Sequence, residues 1–242
     1  MGNECCSGRR TLVANFREFP EGEALKEAII TRNDSLLLDI LMKTGSKDLL
    51  RCSMDDDCNT PFLLACIYSF DRLETLMALL RAGANPRAKN RFGNTAIHMA
   101  CSYASPSRSA LAAVKLLHVN FGVQLESRNI NGLDALWPAV AKGDLNAYKY
   151  LKSFGGDLEA VNNSNENLIF PAIRSGNFEL VKFMLEKDRV RLDKVNKSGE
   201  TPLHVAARCS TLIYSFLLKT QLVDPSVKDS SGHTCSELLV KG

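Results

Sequence analysis

The chain has 242 residues, 45% apolar, 24% charged and 7% aromatic, with a formal net charge of +3. This composition is too aliphatic for a disordered chain, and the length suits one large domain or two small ones. No concentrated basic patch marks a nucleic-acid binder, and no run approaches the roughly 18 apolar residues of a spanning helix.

Eight cysteines stand at 5, 6, 52, 58, 66, 101, 209 and 235. The chain is long for a disulfide scaffold, and its N-terminus has no apolar signal region. A reducing compartment with mostly free thiols is therefore expected.

The first ten residues are Met1-Gly2-Asn3-Glu4-Cys5-Cys6-Ser7-Gly8-Arg9-Arg10. Gly2 meets the requirement for N-myristoylation, although Cys6 stands where the pattern places Ser or Thr. One myristoyl chain binds membrane only marginally, so a second signal is needed. Cys5 and Cys6 are candidate palmitoylation sites, and Arg9 and Arg10 would be drawn to an anionic leaflet. The segment resembles the N-termini of dual-acylated, lipid-anchored cytosolic proteins; a short tail with incidental thiols is the plain alternative. Residues 1–21 are read as acylation and spacer segment, with Phe16 and Phe19 docking on the first helices or dipping into lipid.

Residues 22–54 read as an N-terminal capping helix pair, Glu23 to Ile30 and Leu36 to Lys43, broken at Asn33-Asp34. From there the chain repeats itself. Apolar stretches open with Thr60-Pro61, Thr95-Ala96-Ile97-His98, Asp134-Ala135-Leu136-Trp137, Asn167-Leu168-Ile169-Phe170, Thr201-Pro202-Leu203-His204 and Thr234-Cys235, at spacings of 35, 39, 33, 34 and 33. Two residues before each stands Cys58, Gly93, Gly132, Asn165, Gly199 or Gly232. Five residues before stands Asp55, Asn90, Asn129, Asn162, Asn196 or Asp229. An Asp or Asn there suits an Asx-turn, and a Gly or Asn after it suits positive φ. Cys58 breaks this rule, so its turn is expected to be strained or rearranged. Each unit continues as two short helical patterns, too short to be stable alone.

Thr201-Pro202-Leu203-His204-Val205-Ala206 carries the T-P-L-H-x-A signature in full, and Gly83-Ala84-Asn85-Pro86 fits the end of a second helix. The chain resembles the ankyrin-repeat family from about residue 22 onward. The resemblance implies an all-α repeat solenoid of helix-turn-helix units with β-turn fingers. Five repeats would span 55–89, 90–128, 129–161, 162–195 and 196–228, and a partial C-terminal cap 229–242 with a short helix from Cys235 to Val240. The longer second unit carries extra residues around Ser102 to Ser109. These are expected to lengthen the connection between its helices, with Ser105-Pro106 a candidate phosphorylation site.

No P-loop, G-x-S-x-G, H-E-x-x-H or C-x-x-C signature occurs. No enzyme activity, cofactor, metal or small-molecule substrate is therefore expected. The resemblance makes His98 and His204 structural, and Trp137, which replaces the signature histidine, reads as repacked core. Family resemblance also places partner contacts at the finger tips and inner helices. The tips would be Asp56, Asp57 and Asn59; Arg91, Phe92 and Asn94; Ile130, Asn131 and Leu133; Asn163, Ser164 and Glu166; and Lys197, Ser198 and Glu200. Phe92, Ile130 and Leu133 stand out as large apolar groups at exposed positions. Tyr68, Arg91 and Tyr103 complete the candidate partner site.

The reading that follows is a non-enzymatic ankyrin adaptor, acyl-anchored to the cytosolic face of a membrane, that recruits a protein through its concave face. The alternative is a soluble cytosolic or nuclear regulatory subunit or inhibitor that binds an enzyme or transcription factor. If the anchor operates, Gly2→Ala moves the protein from the membrane to the soluble fraction on cell fractionation. Persistent membrane association of that variant removes the anchor.

Overall fold

Helices of two or three turns supply nearly all the regular structure. The computed structural model describes residues 14–45, 47–104 and 109–239. The chain forms two units that divide between Ile130 and Asn131. In the first, α1 (Gly22–Ile30) and α2 (Asp34–Thr44) pair, followed by α3 (Pro61–Tyr68) with α4 (Leu73–Arg81) and α5 (Ala96–Ser102) with α6 (Leu111–Lys115). A π-helical turn, Leu116–Asn120, extends α6. In the second unit, α7 (Leu136–Ala141) pairs with α8 (Leu145–Ser153), α9 (Ile169–Arg174) with α10 (Phe178–Glu186), and α11 (Pro202–Cys209) with α12 (Thr211–Thr220). No sheet forms among the described residues; two isolated bridges link Asn15 with Ser53 and Lys228 with Thr234.

Packing between successive pairs replaces the stability that each helix lacks. In the first unit α3 lies against α1 and α5, and in the second α9 lies against α7 and α11. Leu25, Ile29, Phe62, Leu63, Leu76 and Leu79 are fully buried in the first unit; Tyr148, Phe170, Ile173, Leu180 and Leu203 are in the second. Each such burial is worth about 1.5–3 kcal/mol before entropy is counted. Side-chain caps hold the starts of several helices. Asn33 accepts from the Leu36 amide at 3.1 Å, Asp144 from Ala147 at 3.0 Å and Asn177 from Leu180 at 3.1 Å.

The signature histidines do the same work from inside the helix. His98 Nδ1 accepts the Thr95 backbone N–H at 3.3 Å, and His204 Nδ1 that of Thr201 at 3.2 Å. The Nε2 of His204 then lies 3.2 Å from the His233 carbonyl, one finger further on. This arrangement assigns the proton to Nε2 and makes the ring a tie between repeats.

Residues 14–16 pair with the backbone of the first unit. The Phe16 amide donates to the Ser53 carbonyl at 3.1 Å, and the Ser53 amide to the Ala14 carbonyl at 3.0 Å. Phe16 is buried, with the Lys26 ammonium 4.6 Å from its ring centroid. Of its two expected destinations, Phe16 takes the helices. The C-terminal copy also differs from expectation. Residues 235–238 form turns and the described residues make no helix there. The lengthened connection does lie between α5 and α6; Ser105-Pro106 falls outside the described residues.

The docked Phe16 depends on a missing side chain. A Cβ at Gly22 would sit 1.9 Å from the Phe16 carbonyl oxygen, and that oxygen belongs to backbone, which cannot swing aside. Gly22→Ala is therefore expected to destabilise the protein by about 1–3 kcal/mol, seen as a lower denaturant midpoint by circular dichroism. An unchanged midpoint would show that the contact is dispensable.

Candidate functional site

Five of the six fingers are each seen closed by their own Asx side chain. Asn90 Oδ1 accepts the amides of Phe92 and Asn94, both at 3.0 Å. Asp55, Asn162, Asn196 and Asp229 repeat this two-amide grip. With the turn's amides satisfied, one carbonyl per finger is left for its neighbour. The Asp57 carbonyl takes the Arg91 amide and the Phe92 carbonyl the Ile130 amide, both at 3.0 Å. Cys58 keeps the turn at φ +60°, so its finger is strained, not rearranged. Cys58 is also disulfide-bonded, an exception to the expectation of mostly free thiols, which the other described cysteines follow.

On this frame the first unit displays a mixed aromatic and charged surface. Arg91 is held at three points. Its guanidinium donates to the Asp56 carbonyl at 2.9 Å, pairs with the Asp57 carboxylate at 3.0 Å, and lies 4.7 Å from the centroid of the Phe92 ring. A half-exposed ion pair adds little stability, but three contacts restrict the rotamers of both side chains. Phe92 remains 36% exposed, and Ile130, on the adjoining finger, 68%. At the ends of α3 and α5, Tyr68 and Tyr103 are exposed to 39% and 48%. Partial burial pushes the Tyr103 hydroxyl up, helped by the nearby Tyr68, Asp57 and Asp55. This surface is acidic around its tyrosines.

The second unit has a different construction. Glu166, expected at an exposed tip, is buried. Its carboxylate accepts from Arg174 and Asn162, and from Asn196 at 3.3 Å. Glu200 repeats the pattern with Arg208 and Asn196. Burial pushes Glu166 up, but the hydrogen bonds from Arg174, Asn162 and Asn196 outweigh it and leave the carboxyl below its usual range. A second network ties α8 to the loop after α10, where Tyr148 and Lys152 both reach the fully buried carboxylate of Asp188.

A family model described as ankyrin repeats matches three overlapping stretches, residues 62–162, 102–192 and 136–229. The chain belongs to the ankyrin-repeat family. Its array is 44% identical over 84 residues to mouse "B-cell lymphoma 3 protein homolog", covering 35% of the chain and 18% of that protein. It is 28% identical over 176 residues to the chicken "Nuclear factor NF-kappa-B p105 subunit", covering 72% of the chain and 17% of that protein. The chain thus spans less than a fifth of the length of these relatives. Among solved structures it is similar to the ankyrin repeat domain of Bcl-3, described as a unique member of the IkappaB protein family. The TM-score is 0.60 at 26% identity, over 90% of this chain and 94% of that one.

Within the ankyrin array, five of the six candidate partner residues share the first unit: Tyr68, Arg91, Phe92, Tyr103 and Ile130 are all exposed there. Leu133 belongs to the second unit and is half-buried. Asn59, expected at a tip, is buried and accepts from the Asn90 amide nitrogen at 3.1 Å. Trp137 is buried, with its indole N–H unpartnered. Gly2, Cys5 and Cys6 lie outside the described residues. The thiols of Cys52 and Cys66 are buried and pushed up, Cys52 to about 12, which makes them poor nucleophiles. No cluster of three or more possible metal ligands occurs among the described residues, and none of their helices is long and apolar enough to cross a membrane.

Arg174 and Arg208 were not foreseen as site residues. A signal existed: Glu166 and Glu200 each stand eight residues before an arginine, and the two pairs are 34 residues apart. The lowered Glu166 carboxyl has a consequence for acid stability. Its folded-state value is below the unfolded one, so its contribution is complete above the ordinary carboxylate range and is lost as pH falls through it. Glu166→Gln is expected to lower the melting temperature at pH 7 and to narrow the gap from wild type toward pH 3. A gap independent of pH would contradict this ionic role.

Proposed function

We propose that this ankyrin array is a non-enzymatic regulatory protein that binds a transcription factor of the NF-kappa-B type. The contact surface would be Tyr68, Arg91, Phe92, Tyr103 and Ile130. One observation carries the choice of surface: Arg91 is locked to Asp56 and Asp57 and lies against an exposed Phe92. An exposed aromatic whose position is already restricted loses little entropy on binding, which is what an interface anchor requires. Leu133, half-buried, is left out of the surface.

The choice of partner class rests on the relatives. They include a nuclear factor subunit and a member of the IkappaB protein family. They favour the soluble cytosolic or nuclear regulator over the lipid-anchored adaptor expected from Gly2, Cys5 and Cys6. Ankyrin arrays act through binding surfaces built from stacked repeats, which agrees with a regulator that carries no chemistry of its own.

The test is calorimetric titration of a purified NF-kappa-B subunit into wild type and into the double variant Phe92→Ala, Ile130→Ala. Loss of hot-spot contacts of about 2 kcal/mol or more would weaken Kd by about thirtyfold. Ile130 is largely exposed and Phe92 about one third, so the melting temperature should fall only slightly while the circular dichroism spectrum is retained. Binding by wild type with equal Kd in the variant would remove this surface; no binding by wild type would remove the partner class.

A further inference from the structure

Two pairs of fingers are built alike and differ in one side chain. In the first unit the Asp57 amide donates to Asp55 Oδ1 at 3.1 Å, and the Arg91 amide of the next finger donates to the Asp57 carbonyl at 3.0 Å. The residue after Asp57 takes φ +60°. In the second unit the Ser164 amide donates to Asn162 Oδ1 at 2.9 Å, and the Lys197 amide of the next finger donates to the Ser164 carbonyl at 2.9 Å. The residue after Ser164 also takes φ +60°. Ser164 thus stands on the backbone site of Asp57, and Lys197 on that of Arg91.

The side chains complete the comparison. In the first unit the Asp57 carboxylate holds the Arg91 guanidinium at 3.0 Å. In the second the cation is kept, and a hydroxyl stands where the anion was. Phosphorylation is the reaction that makes a serine anionic: it adds about −1.5 to −2 charge and three acceptor oxygens. Ser164 and Lys197 are both exposed, so the hydroxyl is open to an enzyme and the ammonium to the product. Two more bonds fix the alignment of these fingers. The Asn165 side chain donates to the Val195 carbonyl at 2.8 Å, and the Asn196 side chain to Glu166 at 3.3 Å. The carboxylates of the same fingers, Glu166 and Glu200, are engaged by Arg174 and Arg208. Ser198 and Ser231 share the tip position of Ser164, but the finger after Ser198 offers Ser230 where Lys197 stands.

We propose that Ser164 is a phosphorylation site whose phosphate is received by Lys197. A serine kinase would draw the group from ATP. The bond from Ser164 Oγ to the γ-phosphorus forms as the bond from that phosphorus to the β,γ-bridging oxygen breaks. ADP leaves, and the hydroxyl proton passes to the kinase's base. The new ion pair would repeat Asp57 and Arg91 in the second unit, as a reversible tie between two finger tips. It would also turn the uncharged tip Asn163-Ser164-Asn165 anionic. The site does not involve the Phe92 surface, and its test does not depend on the proposed transcription-factor partner.

The experiment uses the full chain phosphorylated at Ser164, with phosphoserine installed during translation. Phosphorus nuclear magnetic resonance follows the second ionisation of the phosphate. A neighbouring ammonium favours the dianion, so this pKa is expected to lie about 0.5 lower in the Lys197 protein than in Lys197→Met, the scale of an exposed ion pair. Lys197→Arg should keep the lowering. Lys228→Met, which removes an exposed cation one finger further on, should also keep it. A pKa that Lys197→Met leaves unchanged, or that Lys228→Met raises equally, would overturn the pairing. The second arm asks whether the hydroxyl is used. The folded full chain is incubated with ATP and an extract of the cells that make it, and its phosphates are mapped by mass spectrometry. Phosphate on Ser164 is expected; Ser164 left unmodified would overturn the site.

Discussion

The array depends on how the fingers dispose of their backbone polar groups. A tight turn leaves several N–H and C=O groups without partners, and buried ones are costly. Here one Asx oxygen takes two amides of its own turn, as Asn90 does for Phe92 and Asn94. That closes the finger locally and leaves one carbonyl directed at the following finger. The bond from the Lys197 amide to the Ser164 carbonyl, and that from Ser230 to Ser198, continue the pattern in the second unit. In four successive pairs of fingers the spacing is thus set by a backbone hydrogen bond that does not depend on the tip side chains. Exposed tip residues such as Ile130 do not take part in these side-chain grips, so the binding surface can change there at little cost to the fold.

A second tie runs beneath this one, and the two units build it from different chemistry. In the first, neutral amides pass the contact along: Asn90 to Asn59, and Asn129 to Asn94. In the second, Glu166 and Glu200 occupy the position of Asn59 and Asn94, and each recruits an arginine from the inner helix. An amide pair satisfies itself. A buried carboxylate needs more donors than one amide supplies, so it draws in a cation. Eight residues after this position stand Ile67 and Ser102 in the first unit, but Arg174 and Arg208 in the second.

Much of this was legible in the chain. The tetrads, the Asx positions and the glycines announced the helix pairs and the fingers, because each answers a local need that only a few residue types meet. The structural role of His98 and His204 follows the same rule. The candidate surface was partly legible: Phe92 and Ile130 are exposed as their finger positions imply. Leu133, at the same kind of position as Asn59, Asn94 and Glu166, is half-buried. At Asn59, Asn94 and Glu166 that position meets the Asx of the following finger, and whether its side chain is covered depends on what the neighbouring repeat provides. Phe16 was ambiguous for a similar reason: an aromatic beside a helix pair does not name its pocket. The pocket exists because Ser53 lies alongside and Gly22 has no side chain.

By itself, the sequence determined the repeat, its period, the turn chemistry and the absence of known catalytic signatures. All of these are set by interactions within about 35 residues. Only the tertiary structure decided which polar residues are buried, that Arg91 is pinned against Phe92, and that Asn90 reaches Asn59. These arise between repeats, where residues distant in the chain share a single space. Their energetics turn on desolvation and on the count of available partners, and neither quantity can be read from one repeat alone.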